Sequence, residues 1–521
     1  MFNHVAHAWK TTTQMSMAAP QRSSFLRAVG DGYTVYALSS AIPDGGCGVA
    51  VTRITGKESL KILELLANGK DGNKSGKAFK CAPRVATVRS IYDIDSAPID
   101  QAITIYFPGP NSYTGEDVVE IQTHGSTAVI SQLFEAIRNM SKNNGLKVRQ
   151  AERGEFTRRA FYNNKVDLTQ AEAVREIIGS ETALEMGNAA LKIHGQLSQV
   201  YSSWTNRLNT ILARVEARIE FEEQASTDMG TTIEDANSLK RELMQLATEI
   251  RKKVKDNKGE LINMGATVAI VGPPNAGKST LINTICNRKV AIVADMPGTT
   301  RDLVQVKYDL HGMKVTFVDT AGIRVLDKGA TDNSQEGIER QGIEMALEYI
   351  KDAKMVLFLF DHTNMEDSKY ALELTIKGIP KQTELVICLS KADLLEQKDL
   401  QLLVKRLKDD FPQTRAQTIP LSNQRPQSLE TMLEIVSNKF MQKYQDVQKQ
   451  PFITEARHKT HLMNVLEEIE STLQTIDSGT HDLEIIAENI REAISQISYI
   501  VGEQTNEEML DSIFKTFCVG K

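Results

Sequence analysis

Nowhere in the chain do about 18 apolar residues run together, so the sequence offers no membrane-spanning helix. Cysteine is scarce. Cys47, Cys81, Cys286, Cys388 and Cys518 are scattered, odd in number and never in CxxC spacing, which argues against a disulfide framework or a cysteine zinc site and suits a reducing compartment. An excess of positive charge is missing as well. With 61 Lys and Arg against 67 Asp and Glu the net charge is −6, so bulk charge gives no support to nucleic-acid binding and any RNA contact has to come from local patches. Acidic residues are absent between Met1 and Gly30, where Lys10, Arg22 and Arg27 are interspersed with threonines and serines. That composition is what a mitochondrial transit peptide looks like, so residues 1–32 are set apart and the protein is expected in the mitochondrial matrix.

What is present divides the remainder. At 521 residues, 41% apolar and 25% charged, the chain is too long for one core and calls for roughly three globular domains of ~100–200 residues. Residues 33–150 hold short alternating runs such as Val49 to Ile54 and Ala102 to Phe107, broken by Gly, Pro and Asn, which predicts a strand-rich α+β domain. The period then changes. Leu197, Tyr201, Trp204, Leu208, Ile211, Val215 and Ile219 recur at spacings of three and four, one face of a long helix, so 151–264 is expected to be helical. Residues 265–445 alternate the strand-like TVAIVG, VTFVD, MVLFLFD and ELVICLS with helical stretches, which implies a mostly parallel sheet covered by helices. Helical periodicity returns in 446–521, with Leu483, Ile486, Ile490, Ile494 and Ile497 on one face. The expected fold is multidomain, α+β and α/β, with a P-loop domain inserted into a discontinuous helical domain.

Gly272 to Ser279 reads GPPNAGKS between the strand-like TVAIV and the helical TLINTICN. A glycine-rich loop in that setting curls backbone N–H groups around phosphates, so the stretch Asn275, Ala276, Gly277, Lys278, Ser279 and Thr280 is the candidate phosphate cradle, with Lys278 as point charge and Ser279 as magnesium ligand. DTAG, Asp319, Thr320, Ala321 and Gly322, follows the strand VTFV, where the aspartate can hold magnesium through water and the glycine can approach the γ-phosphate. Thr299 and Thr300 in PGTTRD lie between these motifs, as suits a loop whose threonine, Thr300, completes the metal shell. In SKAD, Lys391 and Asp393 suit the bracketing of guanine, and Ser422 in IPLSNQ resembles a guanine-capping loop. Ser390 stands where related GTPases usually have asparagine and offers fewer hydrogen bonds to the base. Ile323 occupies the position of a water-orienting glutamine and cannot hydrogen-bond, so Arg324, Glu336 and Glu339 are the open candidates for that role.

GPPNAGKS, PGTTRD, DTAG, GIERQGIE and FCVGK, with GGCGVAVTRITG, YTGEDVVE, THG and GEFTRRAF nearer the start, together resemble the MnmE/TrmE family of tRNA-modification GTPases, in its mitochondrial form when the leader is counted. The resemblance runs from about Val35 to Lys521. It implies a homodimer that uses GTP/GDP, magnesium and potassium. It also implies an FAD-dependent partner of the MnmG/GidA type, with which the dimer modifies carbon 5 of the wobble uridine of mitochondrial tRNA. The added aminomethyl-type group would draw its one-carbon unit from a tetrahydrofolate held by the N-terminal domain. Alignment with IER-x-GIE implies Glu339 as the catalytic glutamate, and Asn275 is implied as a potassium ligand in cation-dependent pairing of the GTPase domains. Cys518, within the terminal signature, is implied to be functional. Arg53 and, in GEFTRR, Glu155, Arg158 and Arg159 are candidate folate or tRNA contacts, and Arg53 is the first choice for gripping the glutamate tail of a folate. Ser126 stands where the family pattern has a second glycine after THG. The competing expectation is a regulatory GTPase of mitochondrial ribosome assembly, which would share the switch motifs without the chemistry. A membrane-remodelling GTPase fits less well, because no amphipathic basic helix or lipidation signal is evident.

Overall fold

A computed structural model describes residues 32–68, 79–224, 233–256, 258–288, 291–292, 305–319, 351, 353–412, 414, 416–422, 424–441, 450–478 and 482–521. The transit-peptide expectation, and Thr299, Thr300, Thr320, Ala321, Gly322, Arg324, Glu336 and Glu339, lie outside the described residues. Two compact units are formed, one from the described residues up to Ala171 together with Thr505–Lys521, the other from Glu172–Gln504.

In the first unit, strands β1 (Thr34–Leu38), β2 (Cys47–Thr55), β3 (Thr87–Tyr92), β4 (Pro98–Phe107), β5 (Val118–Gly125) and β6 (Val148–Gln150) build one sheet in the order β3-β4-β5-β2-β1-β6. All neighbours are antiparallel except β1 and β6. The strand alternation places Tyr36, Ile54, Ala102, Val119 and Ile121 on one face, where helices α1 (Ser59–Asn68) and α2 (Thr127–Asn143) bury Leu63, Leu66, Leu133 and Ile137 against them. Ser126, the departure from the family's second glycine, has a structural job: its hydroxyl caps α2 by accepting from the Val129 N–H at 3.2 Å.

The second unit holds helices α4 (Leu168–Ile178, its first residues in the other unit), α5 (Ala183–Ile193), α6 (Gln196–Gln224), α7 (Ile233–Lys255) and α8 (Lys258–Met264), following α3 (Glu155–Tyr162) of the first. The periodic face read from the sequence is buried in α6 from Leu197 to Val215, with Ile219 only partly covered. Strands β7 (Ala266–Val271), β8 (Ala291–Ile292), β9 (Gln305–Leu310), β10 (Met313–Asp319), β11 (Met355–Asp361), β12 (Glu384–Ser390) and β13 (Gln417–Pro420) then form a sheet in the order β13-β12-β11-β7-β10-β9-β8. It is parallel from β13 through β10 and antiparallel at the β9 and β8 edge. Helices α9 (Lys278–Cys286), α10 (Met365–Gly378), α11 (Gln397–Asp410) and α12 (Pro426–Met441) complete this α/β body. Its central strand β11 is buried at every residue, as a strand covered on both faces must be. The chain returns to the helices through α13 (Ala456–Asp477) and α14 (Leu483–Val501), which bury Leu462, Val465, Ile486, Ile490 and Ile497 against α6 and α7.

The three-part architecture expected from the sequence is thus present. The compact units nevertheless cut the chain at other places than 151 and 446: residues 151–171 and 505–521 fold with the N-terminal sheet. Helix α15 (Glu507–Lys515) buries Leu510 and Phe514 with Phe517 against Leu168 and Ala171, rather than joining α13 and α14.

Candidate functional site

Strand β7 lies at the middle of its sheet, between β10 and β11, so its C-terminal end opens where parallel α/β sheets bind ligands. The loop from Gly272 runs from that end into α9, whose first N–H groups are without helical partners and carry the positive end of the helix dipole. Gly272 is required by close approach, since a Cβ there would stand 2.6 Å from the Leu359 carbonyl oxygen. Asn275 turns the loop at φ +61°, a conformation asparagine tolerates, and is exposed at its tip. Lys278 is buried, and its ammonium donates to the carbonyls of Gly272 and Pro273 at 2.7 and 2.8 Å. Burial pushes the Lys278 pKa down, with the negative charge of Asp319 opposing that shift.

Because β10 pairs in parallel with β7, bringing Asp319 beside Ile270, the aspartate arrives at the same sheet end as the loop. Ser279 Oγ donates to Asp319 Oδ2 at 2.8 Å, and Asp319 is 1% exposed. Two hard oxygen groups so close suit a magnesium ion, with the Ser279 hydroxyl as ligand and Asp319 reached through water, and two of the expected metal-site residues are therefore brought together.

About the expected base pocket, β12 ends in Ser390, and Lys391 follows in the left-handed region at φ +56°. Pairing of β12 with β13 carries Leu421 and Ser422 alongside, with the Ala392 N–H donating to the Leu421 carbonyl at 3.1 Å. Asp393 is half-buried; a hydrogen bond from the Ser422 side chain, then its own backbone amide, hold its carboxyl below the ordinary range. Asp393 is thus anionic, as an acceptor for the N–H groups of guanine has to be. Lys391 donates to Asp361 Oδ2 at 2.6 Å. Burial alone would raise the Asp361 pKa, but Lys391 and Thr363 outweigh it and the net shift is downward. Asp361 escaped the sequence reading although its signal was there, an apolar strand, MVLFLF, closing on a carboxylate. Ser390 Oγ donates to the Phe360 carbonyl at 3.2 Å, so its proton is directed to the sheet.

The other candidates lie in the first unit. Arg53 Nε and Nη2 both donate to Glu120 Oε1, at 3.0 and 2.8 Å, and the guanidinium lies over the rings of Tyr113 and Phe156. Glu120 occupies the Nε side of the guanidinium, and the end formed by Nη1 with the second Nη2 hydrogen still presents a two-pronged fork of the kind expected for a folate tail. Glu155 and Arg159, also considered as ligand contacts, form a buried network with Arg149 and Glu116, and Arg158 pairs with Asp511 at 2.7 Å. They hold α3 in place. Cys518 is exposed, and its carbonyl accepts from the Gly154 N–H at 3.3 Å. The next residues cross the sheet, with Val519 bridging Arg153 and the Gly520 carbonyl accepting from Ser39 Oγ at 3.1 Å. Lys521 is half buried, which pushes its pKa down, with the Arg53 charge adding to that and Cys518 and Glu120 opposing it. Cys518, Lys521 and Arg53 therefore share one neighbourhood, from sequence positions at opposite ends of the chain.

Among the described residues no helix is long and apolar enough to cross a membrane. A family model described as the GTP-binding protein TrmE N-terminus matches residues 34–165, and one described as the MnmE helical domain matches residues 168–518. The chain is 35% identical over 491 residues to the tRNA modification GTPase MnmE of Rickettsia prowazekii, covering 94% of this chain and 100% of that one. It is 36% identical over 490 residues to the corresponding protein of Rickettsia akari, with the same shares covered. Among solved structures, the G domain of the T. maritima FeoB iron transporter matches 34% of this chain and 98% of its own length at 20% identity, with a TM-score of 0.22, too slight a likeness to carry weight. Kinship of that order over 94% of the chain, joined to a phosphate loop, a buried aspartate beside it and a C-terminal FCVGK, places the chain in the MnmE family of tRNA modification GTPases.

Proposed function

We propose that this protein hydrolyses GTP in mitochondrial tRNA modification, adding an aminomethyl-type group to carbon 5 of the wobble uridine. It does so as a homodimer, with an FAD-dependent partner of the MnmG/GidA type and a tetrahydrofolate as one-carbon donor. The observation that carries the reading is the 2.8 Å contact of Ser279 with Asp319 beside the Lys278 loop, in a chain related over its whole length to tRNA modification GTPases.

The chain's own residues divide the work. Amides at the start of α9 bind the phosphate oxygens, and Lys278 exchanges two backbone carbonyls for the phosphates. Ser279 and Thr300 directly, and Asp319 through water, would hold a magnesium ion, which would neutralise the developing phosphate charge. Asp393, with Ser422 and Lys391, selects the base. Glu339 orients the attacking water, and Asn275 at the exposed tip of the loop is placed to ligate potassium when two such domains pair. Arg53 Nη1 and Lys521 offer a cationic surface for the carboxylates of a folate, next to the exposed thiol of Cys518. The acid-free leader supports import into the matrix.

Nucleoside mass spectrometry of mitochondrial tRNA from cells lacking the protein, rescued with wild type, Glu339→Ala or Cys518→Ser, tests the whole reading. Loss of the carbon-5 modification, restored by wild type alone, is the expected result. An unmodified phenotype at the wobble uridine together with failed ribosomal subunit assembly would replace this reading with that of an assembly GTPase.

A further inference from the structure

Ser390 leaves the base site one donor short. Guanine presents N–H groups on one edge and the acceptors O6 and N7 on another. Asp393 is an acceptor only, so it serves the first edge. An asparagine at position 390 would offer an amide N–H to the second, but the serine here is 5% exposed and its single proton goes to the Phe360 carbonyl.

A ring nitrogen stands at the same place. His362, directly after β11, is half buried, and its Nδ1 lies 3.1 Å from the Ser390 carbonyl oxygen. A carbonyl only accepts, so Nδ1 carries the proton of that bond and the ring is fixed to the very residue that lacks a donor. No other hydrogen-bond partner of the ring occurs among the described residues, which leaves Nε2 for a ligand. Asp361, the residue before the ring, pairs with Lys391 at 2.6 Å, and Arg425 acts on Asp393. Asp393 feels the charge of His362, so the ring borders the base pocket.

We propose that His362, in its protonated form, donates from Nε2 to N7 of guanine and so takes over the contact that Ser390 cannot make. The proposal rests on the guanine-binding reading of Asp393. The arrangement requires two features at once, a serine turned into the sheet and an imidazole tethered to its carbonyl. It also assigns the two flanks of the base to different strands, the N–H edge to the segment after β12 and the acceptor edge to the residue after β11.

The test compares GTP with 7-deaza-GTP, which lacks the N7 acceptor, in equilibrium binding to the full chain. Wild type should bind GTP about tenfold more tightly than the deaza analogue, the worth of one hydrogen bond to a charged group. His362→Ala should lose that preference, its GTP affinity falling to that of the analogue, whose own affinity stays unchanged. His362→Gln, which keeps a donor, should regain part of it. If His362→Ala retains the wild-type ratio, the proposal is overturned. Asp393→Asn separates this from the underlying reading: a shift of preference from GTP to xanthosine triphosphate with a silent His362→Ala removes His362 alone, whereas unchanged GTP binding in Asp393→Asn removes both. Thermal melting of each variant establishes that a loss of binding is not a loss of fold.

Discussion

Glu172 shows how strongly one side chain can be conditioned by its neighbours. It is 4% exposed, with His458 Nε2 at 2.8 Å from one oxygen and Arg457 Nη2 at 2.9 Å from the other. Tyr201 hydroxyl in turn lies 3.2 Å from His458 Nδ1, so α4, α6 and α13 meet on one buried carboxylate. Burial alone would raise the Glu172 pKa, but His458 and then Arg457 overwhelm it and bring it from 4.5 to about 2. A carboxylate depressed in the folded state stabilises fully above its unfolded value and loses that contribution as pH falls through the folded one. For Glu172 the window runs from about pH 4.5 down to about pH 2, and the amount is on the order of 3 kcal/mol. Glu172→Gln should therefore melt earlier at neutral pH and show a flatter fall in melting temperature across that window. Parallel acid profiles for the two proteins would mean that the carboxylate is not the group that titrates.

At the scale of elements, β10 joins two regions. At its start Lys314 Nζ lies 2.6 Å from Glu181 and 2.9 Å from Glu185, and the neighbouring Gly312 carbonyl accepts from the Leu184 N–H at 3.0 Å. The capping box of α5, Thr182 with Glu185, presents those carboxylates. Lys314→Met leaves two carboxylates without their cation, which should cost on the order of 2 kcal/mol and speed hydrogen exchange of the 181–185 amides. Unchanged exchange there would show the ion pair to be idle. The C-terminal segment is the other element with a sharp requirement. Gly520 sits at φ +86°, and a Cβ on it would stand 2.1 Å from the Leu38 carbonyl oxygen, a backbone atom that cannot step aside. Gly520→Ala should unseat residues 518–521, lower the melting temperature of the first unit and bring Cys518 to the alkylation rate of a free peptide thiol. A variant with wild-type Cys518 reactivity would show the segment to be held by other contacts.

These elements also mark what sequence alone could and could not reveal. The parallel sheet, the phosphate loop and the long face of α6 are written in local order: an unbroken apolar strand such as MVLFLF, a spaced glycine motif and a repeat of three and four are each contained in one stretch of chain. The destination of α15 is not. Its apolar face, Leu510 and Phe514, has the same period as that of α14, and periodicity says which side is buried without saying against what. The same holds for Arg53, whose partner Glu120 is set by the β2–β5 register, and for Asp361, whose partner Lys391 directly follows the neighbouring strand β12. Residue types announce charge; only the fold announces pairing.

On the scale of the whole molecule the predictions concern ligands. Potassium should raise the rate of GTP hydrolysis above that in sodium, and Asn275→Ala should remove the difference; equal rates in both salts for wild type would rule out cation-driven pairing of two GTPase domains. Tetrahydrofolate should raise the melting temperature of the first unit in step with the logarithm of its concentration over the dissociation constant. An unmoved transition at saturating folate would leave the Arg53 and Lys521 neighbourhood to some other anion.

The make-up of the first unit sets an order of events during synthesis. Its sheet and α3 are complete by Ala171, yet its last piece, Thr505–Lys521, appears only after the whole of Glu172–Gln504. A ribosome adding roughly 5–20 residues per second needs tens of seconds for that interval. Throughout it the surfaces that will cover Phe514 and Phe517 are open to water and to other chains. The nucleotide-binding body, from Ala266 to Met441, is contiguous in the chain and is synthesised whole within that interval, so it has its residues before the N-terminal unit can be closed. A chaperone that shields Leu168 and Ala171 for half a minute, or a stop codon a few residues early, would decide between a finished protein and one that binds nucleotide with its other half ajar.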